Sequence, residues 1–79
     1  MAISVRMMPL LAKRARSRST QFDVPYRAGL TVATILAGEG FSDADQDAIT
    51  VMVNDAQAEA AQPLSDGDRV ELLVGIQGG

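Results

Sequence analysis

The sequence predicts an α+β domain in which one main helix packs on one face of a mixed sheet of four to five strands. Four segments carry apolar residues at every second position, the spacing of strands with one buried face. One segment carries them at positions i, i+3 and i+4, the spacing of an amphipathic helix. A single apolar helix stripe requires a single apolar sheet face, so these elements form two layers. With 79 residues, the chain has room for one hydrophobic core.

The first two strands are expected at residues 3–7 and 20–24, where apolar and polar residues alternate. We expect them to pair as an antiparallel hairpin with an unusually long connection, because residues 12–19 are polar and basic and predict a loop. Pro9 cannot donate a backbone hydrogen bond. It therefore indicates either that pairing weakens near the end of the first strand or that this strand lies at a sheet edge.

The main helix is expected to begin after Thr31, whose hydroxyl can accept a hydrogen bond from an early helical amide. Its apolar stripe consists of Val32, Ile35 and Leu36. Gly38 and Gly40 predict the end of the helix, with one of them in the left-handed conformation. Residues 42–45 have the composition of a helix start but lead into a polar segment, so we expect a single turn there at most.

A third strand is expected at residues 49–53, followed by a turn at Asn54-Asp55. Residues 56–62 are ambiguous, because Ala, Gln and Glu favour a helix but the segment is too short for a helix to be stable alone. A short edge strand at residues 57–59 is the alternative. Leu64, just before the last turn, is expected to fill the core.

The last strand is expected after Asp66-Gly67-Asp68, residues that favour a tight turn. Four apolar residues recur at period two along this strand and should face the core: Val70, Leu72, Val74 and Ile76. Leu73 falls on the opposite face, so we expect it to be exposed and to be a candidate anchor for a partner protein. We interpret residues 1–76 as the folded domain and residues 77–79 as a flexible tail.

The Gly78-Gly79 end of the chain allows two interpretations. Average glycine usage gives roughly one chance in 200 that a chain ends in two glycines, so an accidental, frayed end is the first. The second is that the terminus itself is the functional part. A buried strand that leads to a carboxylate without neighbouring side chains favours this second interpretation.

The composition excludes several classes of site. The chain has no Cys or His, which removes the usual ligands of zinc and the usual partners of a nucleophilic serine. Three alternating acids at residues 43–47 resemble a calcium loop, but Ala48 replaces its glycine and Asn54 its final glutamate. No segment predicts a membrane span or a signal peptide. We therefore expect a cytoplasmic protein that binds no metal.

The charges are distributed unevenly along the chain. Residues 1–30 carry six of the seven basic residues, and residues 31–79 carry nine of the ten acidic ones. Residues 13–19, which we call the basic loop, hold four of the basic residues. We favour a solvated loop over a protein-docking patch. Nucleic-acid binding is the least favoured interpretation, because the loop has no aromatic residue for base stacking and the rest of the domain is acidic.

Four segments carry a family resemblance: Thr31-Val-Ala-Thr-Ile-Leu36, Val51-Met-Val-Asn-Asp55, Pro63-Leu-Ser-Asp-Gly-Asp-Arg-Val-Glu-Leu72 and Gly78-Gly79. Together they resemble the ThiS/MoaD family of sulfur carriers, which have the β-grasp, or ubiquitin-like, fold. The helix segment alone is weakly specific, whereas the other three at these spacings are strongly specific. The resemblance covers residues 20–79 in register and residues 3–11 loosely.

The resemblance implies a carrier rather than an enzyme. In this family a ThiF/MoeB-like adenylyltransferase, similar to ubiquitin-activating enzymes, uses ATP to adenylate the C-terminal carboxylate. A sulfurtransferase or desulfurase then supplies the sulfur that displaces AMP and leaves a thiocarboxylate. In this chain the activated carbon would be that of Gly79. The protein would bind no cofactor itself, and it could also serve as the small non-catalytic subunit of a synthase such as molybdopterin synthase.

The resemblance also implies a partner surface and a set of partners. The residues expected to contact partners are Leu73, Gly75, Ile76, Gln77 and Gly78. The partners would be the adenylyltransferase, the sulfur donor and an acceptor synthase subunit, with no nucleic acid and no membrane among them.

Two departures from the family pattern bear on the acceptor. Residues 74–77 read Val-Gly-Ile-Gln where molybdopterin-synthase small subunits usually carry Pro-Pro-Val, and the basic loop is more basic than is usual. Pro63-Leu64 and the chain length still favour a molybdopterin-type acceptor over a thiamine thiazole. Two other functions stay open: a ubiquitin-like modifier joined to lysine, and a β-grasp module that binds partners without covalent chemistry.

Overall fold

A computed structural model describes residues 2–74, and Met1 and residues 75–79 lie outside the described part. Numbered in chain order, the strands are β1 (Ala2–Met7), β2 (Gln21–Pro25), β3 (Ile49–Val53), β4 (Ala56–Ala58) and β5 (Arg69–Val74). The helices are α1 (Pro9–Ala12), α2 (Val32–Gly38) and α3 (Asp43–Asp47). All five strands form one sheet in the order β2-β1-β5-β3-β4. β1 and β5 run parallel and the other neighbours antiparallel, so the predicted mixed sheet is confirmed.

β1 and β2 form the predicted hairpin, with Val5 opposite Phe22. β1 lies between β2 and β5, so the expectation that Pro9 could mark a sheet edge is wrong. Pro9 instead begins α1, which the sequence did not predict. Proline suits the first helical position, because the N–H that it lacks would have no partner within the helix. A four-residue helix is too short to show a helical period, which is why the sequence pattern missed it.

The main helix, α2, forms as predicted and covers the inner face of the sheet. The backbone N–H of Thr34 donates to the hydroxyl of Thr31 over 3.2 Å, which confirms the N-cap. Gly40 has φ +90° and supplies the left-handed residue after the helix, whereas Gly38 is the last helical residue. The core contains the apolar stripe of α2 and the inward residues of the central strands: Val32, Ile35, Leu36, Ile3, Val5, Met7, Ile49, Val51, Val70 and Leu72. Leu64 is also buried, as expected.

The β3–β4 hairpin resolves the ambiguity of residues 56–62. Asn54 and Asp55 both have positive φ, 51° and 70°, the pattern of a two-residue type I′ turn. This turn places Ala56 directly opposite Val53. β4 is therefore an edge strand that begins one residue earlier than predicted, and the helical alternative is wrong.

Within residues 2–74 the longest helix has seven residues, and none could cross a bilayer.

α3 is longer than the single turn expected from the sequence, since it spans five residues. A reciprocal capping box stabilises its start. The N–H of Asp45 donates to the hydroxyl of Ser42 over 3.1 Å, and the N–H of Ser42 donates to Oδ2 of Asp45 over 3.0 Å. These two bonds satisfy backbone groups that a helix start would otherwise leave unpaired.

The capping box predicts a pH dependence of α3. The pKa of Asp45 lies below the ordinary value of 3.8. The largest cause is the hydrogen bond from the Ser42 N–H, the next is that from the Ser42 hydroxyl, and the Arg14 guanidinium contributes to the same shift. Because the folded-state pKa is depressed, the stabilisation is complete above the unfolded value and is lost as pH falls through the folded one. An NMR titration of the Asp45 carboxyl carbon should give a midpoint below 3.8.

The matched control for this titration is the Ser42→Ala variant. It removes the hydroxyl and keeps the backbone donor, so the Asp45 midpoint should move upward but not fully to that of an unstructured peptide. Equal midpoints in the two proteins would contradict the role of the Ser42 hydroxyl.

Candidate functional site

The start of β5 is joined to the β3–β4 turn by a network of hydrogen bonds. The Arg69 N–H donates to Oδ1 of Asn54 over 2.9 Å, and the Asn54 N–H donates to the Arg69 carbonyl over 2.8 Å. The Asn54 side-chain amide donates to Oδ1 of Asp68 over 2.9 Å, and Oδ2 of Asp68 accepts from the Ser65 N–H over 2.8 Å. Two sequence motifs, Val51–Asp55 and Pro63–Leu72, are thus parts of one structural unit that positions β5.

The middle of β5 is buried in the sheet. Val70 and Leu72 are 1% and 0% exposed, and β5 pairs with β1 on one side and β3 on the other. The turn before it contains Gly67 with φ +87°, which confirms the predicted glycine turn. The predicted turn is therefore confirmed. The predicted inward-facing residues of the last strand are also confirmed as far as Val74, which is half-buried.

The last described residues of β5 contact Met8, which follows β1. The Met8 N–H donates to the Leu72 carbonyl over 3.2 Å, and the Val74 N–H donates to the Met8 sulfur over 3.0 Å. Sequence reasoning missed this contact. Nothing in the local pattern could have shown it, because Met8 and Val74 lie 66 positions apart in the chain.

A groove lies beside the end of β5, on the sheet face opposite α2. We call it the end groove; its volume is about 410 Å³. Its lining residues are Arg6, Met7, Met8, Pro9, Thr20, Gln21, Glu71 and Leu73. Leu73 was expected to be exposed but is half-buried, because it forms part of the groove wall. Sequence reasoning found Leu73 but missed Met8, Pro9 and Thr20, which α1 and the hairpin bring to the same place.

The other predicted site residues lie outside the described part of the chain. These are Gly75, Ile76, Gln77, Gly78 and Gly79. The proposed boundary between domain and tail at residues 76 and 77 falls there too, and it stays a prediction. The structure does locate the point from which this segment continues: Val74 at the end of β5, beside Leu73 and the end groove.

The described residues contain no constellation for metal binding. No group of three or more Asp and Glu side chains within residues 2–74 is arranged to hold an ion. Asp45, one of the three alternating acids, caps α3 and pairs with Arg14 at 3.3 Å. Asp43 and Asp47 are exposed.

Comparison with known proteins agrees with this architecture. The ThiS family model matches residues 13–79. Similar solved structures include SAMP1, a small archaeal modifier protein from Haloferax volcanii, with 21% identity, full coverage of both chains and a TM-score of 0.72. Another similar structure is a chain in the complex of subunits 1 and 2 of the molybdopterin-converting factor from Helicobacter pylori. It has 21% identity, full coverage of both chains and a TM-score of 0.66.

At 21% identity, the likeness to these two structures concerns the fold alone. A comparison with curated proteins finds no match. The five-stranded mixed sheet with α2 on one face is the ubiquitin-like β-grasp fold of these neighbours. The family model covers most of the chain and reaches the diglycine end. The chain therefore belongs to the ThiS family.

Proposed function

We propose that this protein is a sulfur carrier and that its reactive group is the Gly79 carboxylate. The observation that carries this proposal is the family match over residues 13–79, which includes the Gly78-Gly79 end. The position of β5 supports it. Hydrogen bonds that β5 donates to Asn54 at its start and to Met8 near its end hold the strand in the middle of the sheet, so residues 75–79 continue from a fixed point.

The proposed chemistry follows from the low reactivity of a carboxylate. A Gly79 oxygen attacks the α-phosphorus of ATP, pyrophosphate leaves, and an acyl-adenylate forms. A hydrosulfide nucleophile then attacks the acyl carbon, the C–O bond to AMP breaks, and a thiocarboxylate remains. Both steps take place in the active site of the adenylyltransferase, which binds the ATP. This use of ATP also leads us to propose the cytoplasm as the location.

The role of this chain is to present the carboxylate to its partners. Gly78 and Gly79 have no Cβ, so the backbone can pass through a narrow channel where any larger residue would clash. We propose that Leu73 in the end groove and residues 75–77 contact the same partner, since an extended segment gains main-chain hydrogen bonds with little demand on its side chains.

The partners that we propose are a ThiF/MoeB-like adenylyltransferase, a sulfurtransferase or desulfurase, and an acceptor synthase subunit. The likeness to the molybdopterin-converting factor structure supports a molybdopterin-type acceptor over a thiazole. A second candidate function is that of a ubiquitin-like modifier, which the likeness to the archaeal modifier protein SAMP1 favours. The two functions share the activated terminus and differ in the nucleophile that takes the acyl group.

The sulfur-carrier proposal predicts a defined change in mass. The protein is incubated with ATP, a sulfide donor and a ThiF/MoeB-like adenylyltransferase from the same genome, and its intact mass is measured. We expect an increase equal to the difference between sulfur and oxygen, and no increase when ATP is omitted. Conjugates with lysine-containing proteins and no thiocarboxylate would favour the modifier. An unchanged mass with every such enzyme, in a folded sample, would contradict both.

A further inference from the structure

The basic loop plays no part in the proposed chemistry, yet the structure holds it in place. Ala15 of this loop and Leu11 of α1, which precedes the loop, are each 3% exposed. The Arg16 N–H donates to the Glu39 carbonyl over 2.9 Å, and the N–H and hydroxyl of Ser17 donate to Oε1 of Glu39 over 3.0 and 2.6 Å. The loop is therefore fixed against the C-terminal end of α2. The basic side chains of Lys13, Arg14, Arg16 and Arg18 are nevertheless exposed, as the solvated loop favoured from the sequence predicts.

The fixed loop forms one wall of a second groove. This groove, which we call the basic groove, has a volume of about 450 Å³ and is lined by Pro9, Ala12, Lys13, Arg18 and Thr20. The ion pairs among residues 2–74 join Arg14 to Asp45 and Arg69 to Asp55, so neither includes Lys13 or Arg18. The positive charge of this groove is therefore not neutralised by a carboxylate of the described residues.

An exposed apolar residue, Leu10, follows the groove residue Pro9 in the chain. Leu10 is 58% exposed, although Leu11 beside it in α1 is buried. Pro9, the other exposed residue of α1, lines both the basic groove and the end groove. Thr20 also lines both grooves, so they form one continuous surface that runs from Leu73 to Lys13 and Arg18.

We propose that the basic groove and Leu10 dock an acidic surface of the activating adenylyltransferase. This inference rests on the proposed function for the identity of the partner. A protein that holds residues 75–79 must cover the end of β5, and the shared Pro9 and Thr20 place the basic groove next to it. Lys13 and Arg18 select an acidic surface by charge complementarity. Because Glu39 already holds the loop at Arg16 and Ser17, docking would order mainly the Lys13 and Arg18 side chains.

Two other occupants fit the two grooves less well. Nucleic acid would need base-stacking side chains, and no aromatic residue lines either groove. A second copy of the chain could offer its acidic half, but it would leave unexplained why the groove adjoins the end of β5. Both occupants are outcomes of the test below.

The test measures direct binding, which does not require thiolation. The dissociation constant of the full chain and a ThiF/MoeB-like adenylyltransferase from the same genome is measured without ATP at several salt concentrations. The Lys13→Glu/Arg18→Glu variant should bind about 10- to 30-fold more weakly, with a shallower salt dependence. Leu10→Ala should weaken binding about fivefold. The control is Arg16→Glu/Arg27→Glu, which changes the net charge equally at residues that line neither groove, and it should stay within about twofold.

The outcomes separate this inference from the proposed function. Weaker enzyme binding by the Lys13→Glu/Arg18→Glu variant supports the docking surface even if the wild-type protein acquires no sulfur. Failure of the wild-type protein to acquire sulfur would contradict the carrier proposal alone. Equal affinity of variant and control overturns the docking surface even if thiolation proceeds. Absence of wild-type binding also overturns it. The docking surface is also overturned if the Lys13→Glu/Arg18→Glu variant keeps its affinity for the enzyme but loses binding to a single-stranded RNA, or loses self-association measured by sedimentation.

Discussion

Deleting Gly78 and Gly79 should abolish the sulfur-for-oxygen mass increase and leave the melting temperature unchanged. The deletion removes the carboxylate that the partner would adenylate and ends the chain at Gln77, two residues short. The core cluster and the pairing of β5 with β1 and β3 are formed by residues within 2–74, all of which the deletion keeps, so we expect the domain still to fold. Intact mass after incubation with enzyme, ATP and sulfide measures the first effect, and circular dichroism during heating measures the second.

A glycine substitution in the described turn is the control for this deletion. Gly67 has φ +87°, and no atom lies within 4 Å of the position that a Cβ would take, so Gly67→Ala introduces backbone strain without a clash. It should cost about 1 to 2 kcal/mol of stability and still permit full thiolation under conditions where it is folded. A tail-deleted protein that gains sulfur, or a folded Gly67→Ala protein that does not, would contradict the assignment of the reaction to the last residue.

Replacing Leu72 with alanine should have the largest effect on stability. Leu72 is 0% exposed in the central strand β5 and packs in the main core cluster. Removing a fully buried leucine side chain costs about 2 to 5 kcal/mol, from lost burial and the cavity that remains. The total free energy of unfolding of a domain is only about 5 to 15 kcal/mol, so much of the molecule's stability should be lost. Denaturant unfolding monitored by circular dichroism measures the change in the free energy of unfolding.

Leu10→Ala is the matched control, because it makes the same chemical change at a residue that is 58% exposed. Its free energy of unfolding should change by less than about 0.5 kcal/mol. The same variant is expected to weaken adenylyltransferase binding, so stability and docking are measured separately at one position. Equal destabilisation by the two variants would show that the burial of β5 is not as described.

The local elements could be predicted from the sequence because their causes are local. Alternation of apolar residues predicts β1, β2, β3 and β5, and the spacing of Val32, Ile35 and Leu36 predicts α2. Thr31 and Ser42 bond to amides three residues away, so their capping roles depend only on neighbouring residues. The candidate site was predicted only in part: Leu73 was found and lies in the end groove, and residues 75–79 lie outside the described part.

Tertiary structure decided which elements meet. The parallel pairing of β1 with β5 brings Met8 to Val74 across 66 positions, and no local pattern encodes such a contact. The same pairing places β1 inside the sheet, so that Pro9 begins a helix rather than marking an edge. The burial of Ala15 in a loop that reads as polar likewise follows from its packing in the core.

The sequence by itself therefore determined β1, β2, β3 and β5, the main helix, the turns and the family with its diglycine end, because each depends on near neighbours or on a motif at fixed spacing. Only the tertiary structure decided that Asn54 and Asp68 join two motifs, and that Leu73, Pro9 and Lys13 lie along one surface. The physical reason is that side chains distant in the chain become neighbours only when the sheet sets their strand order and register.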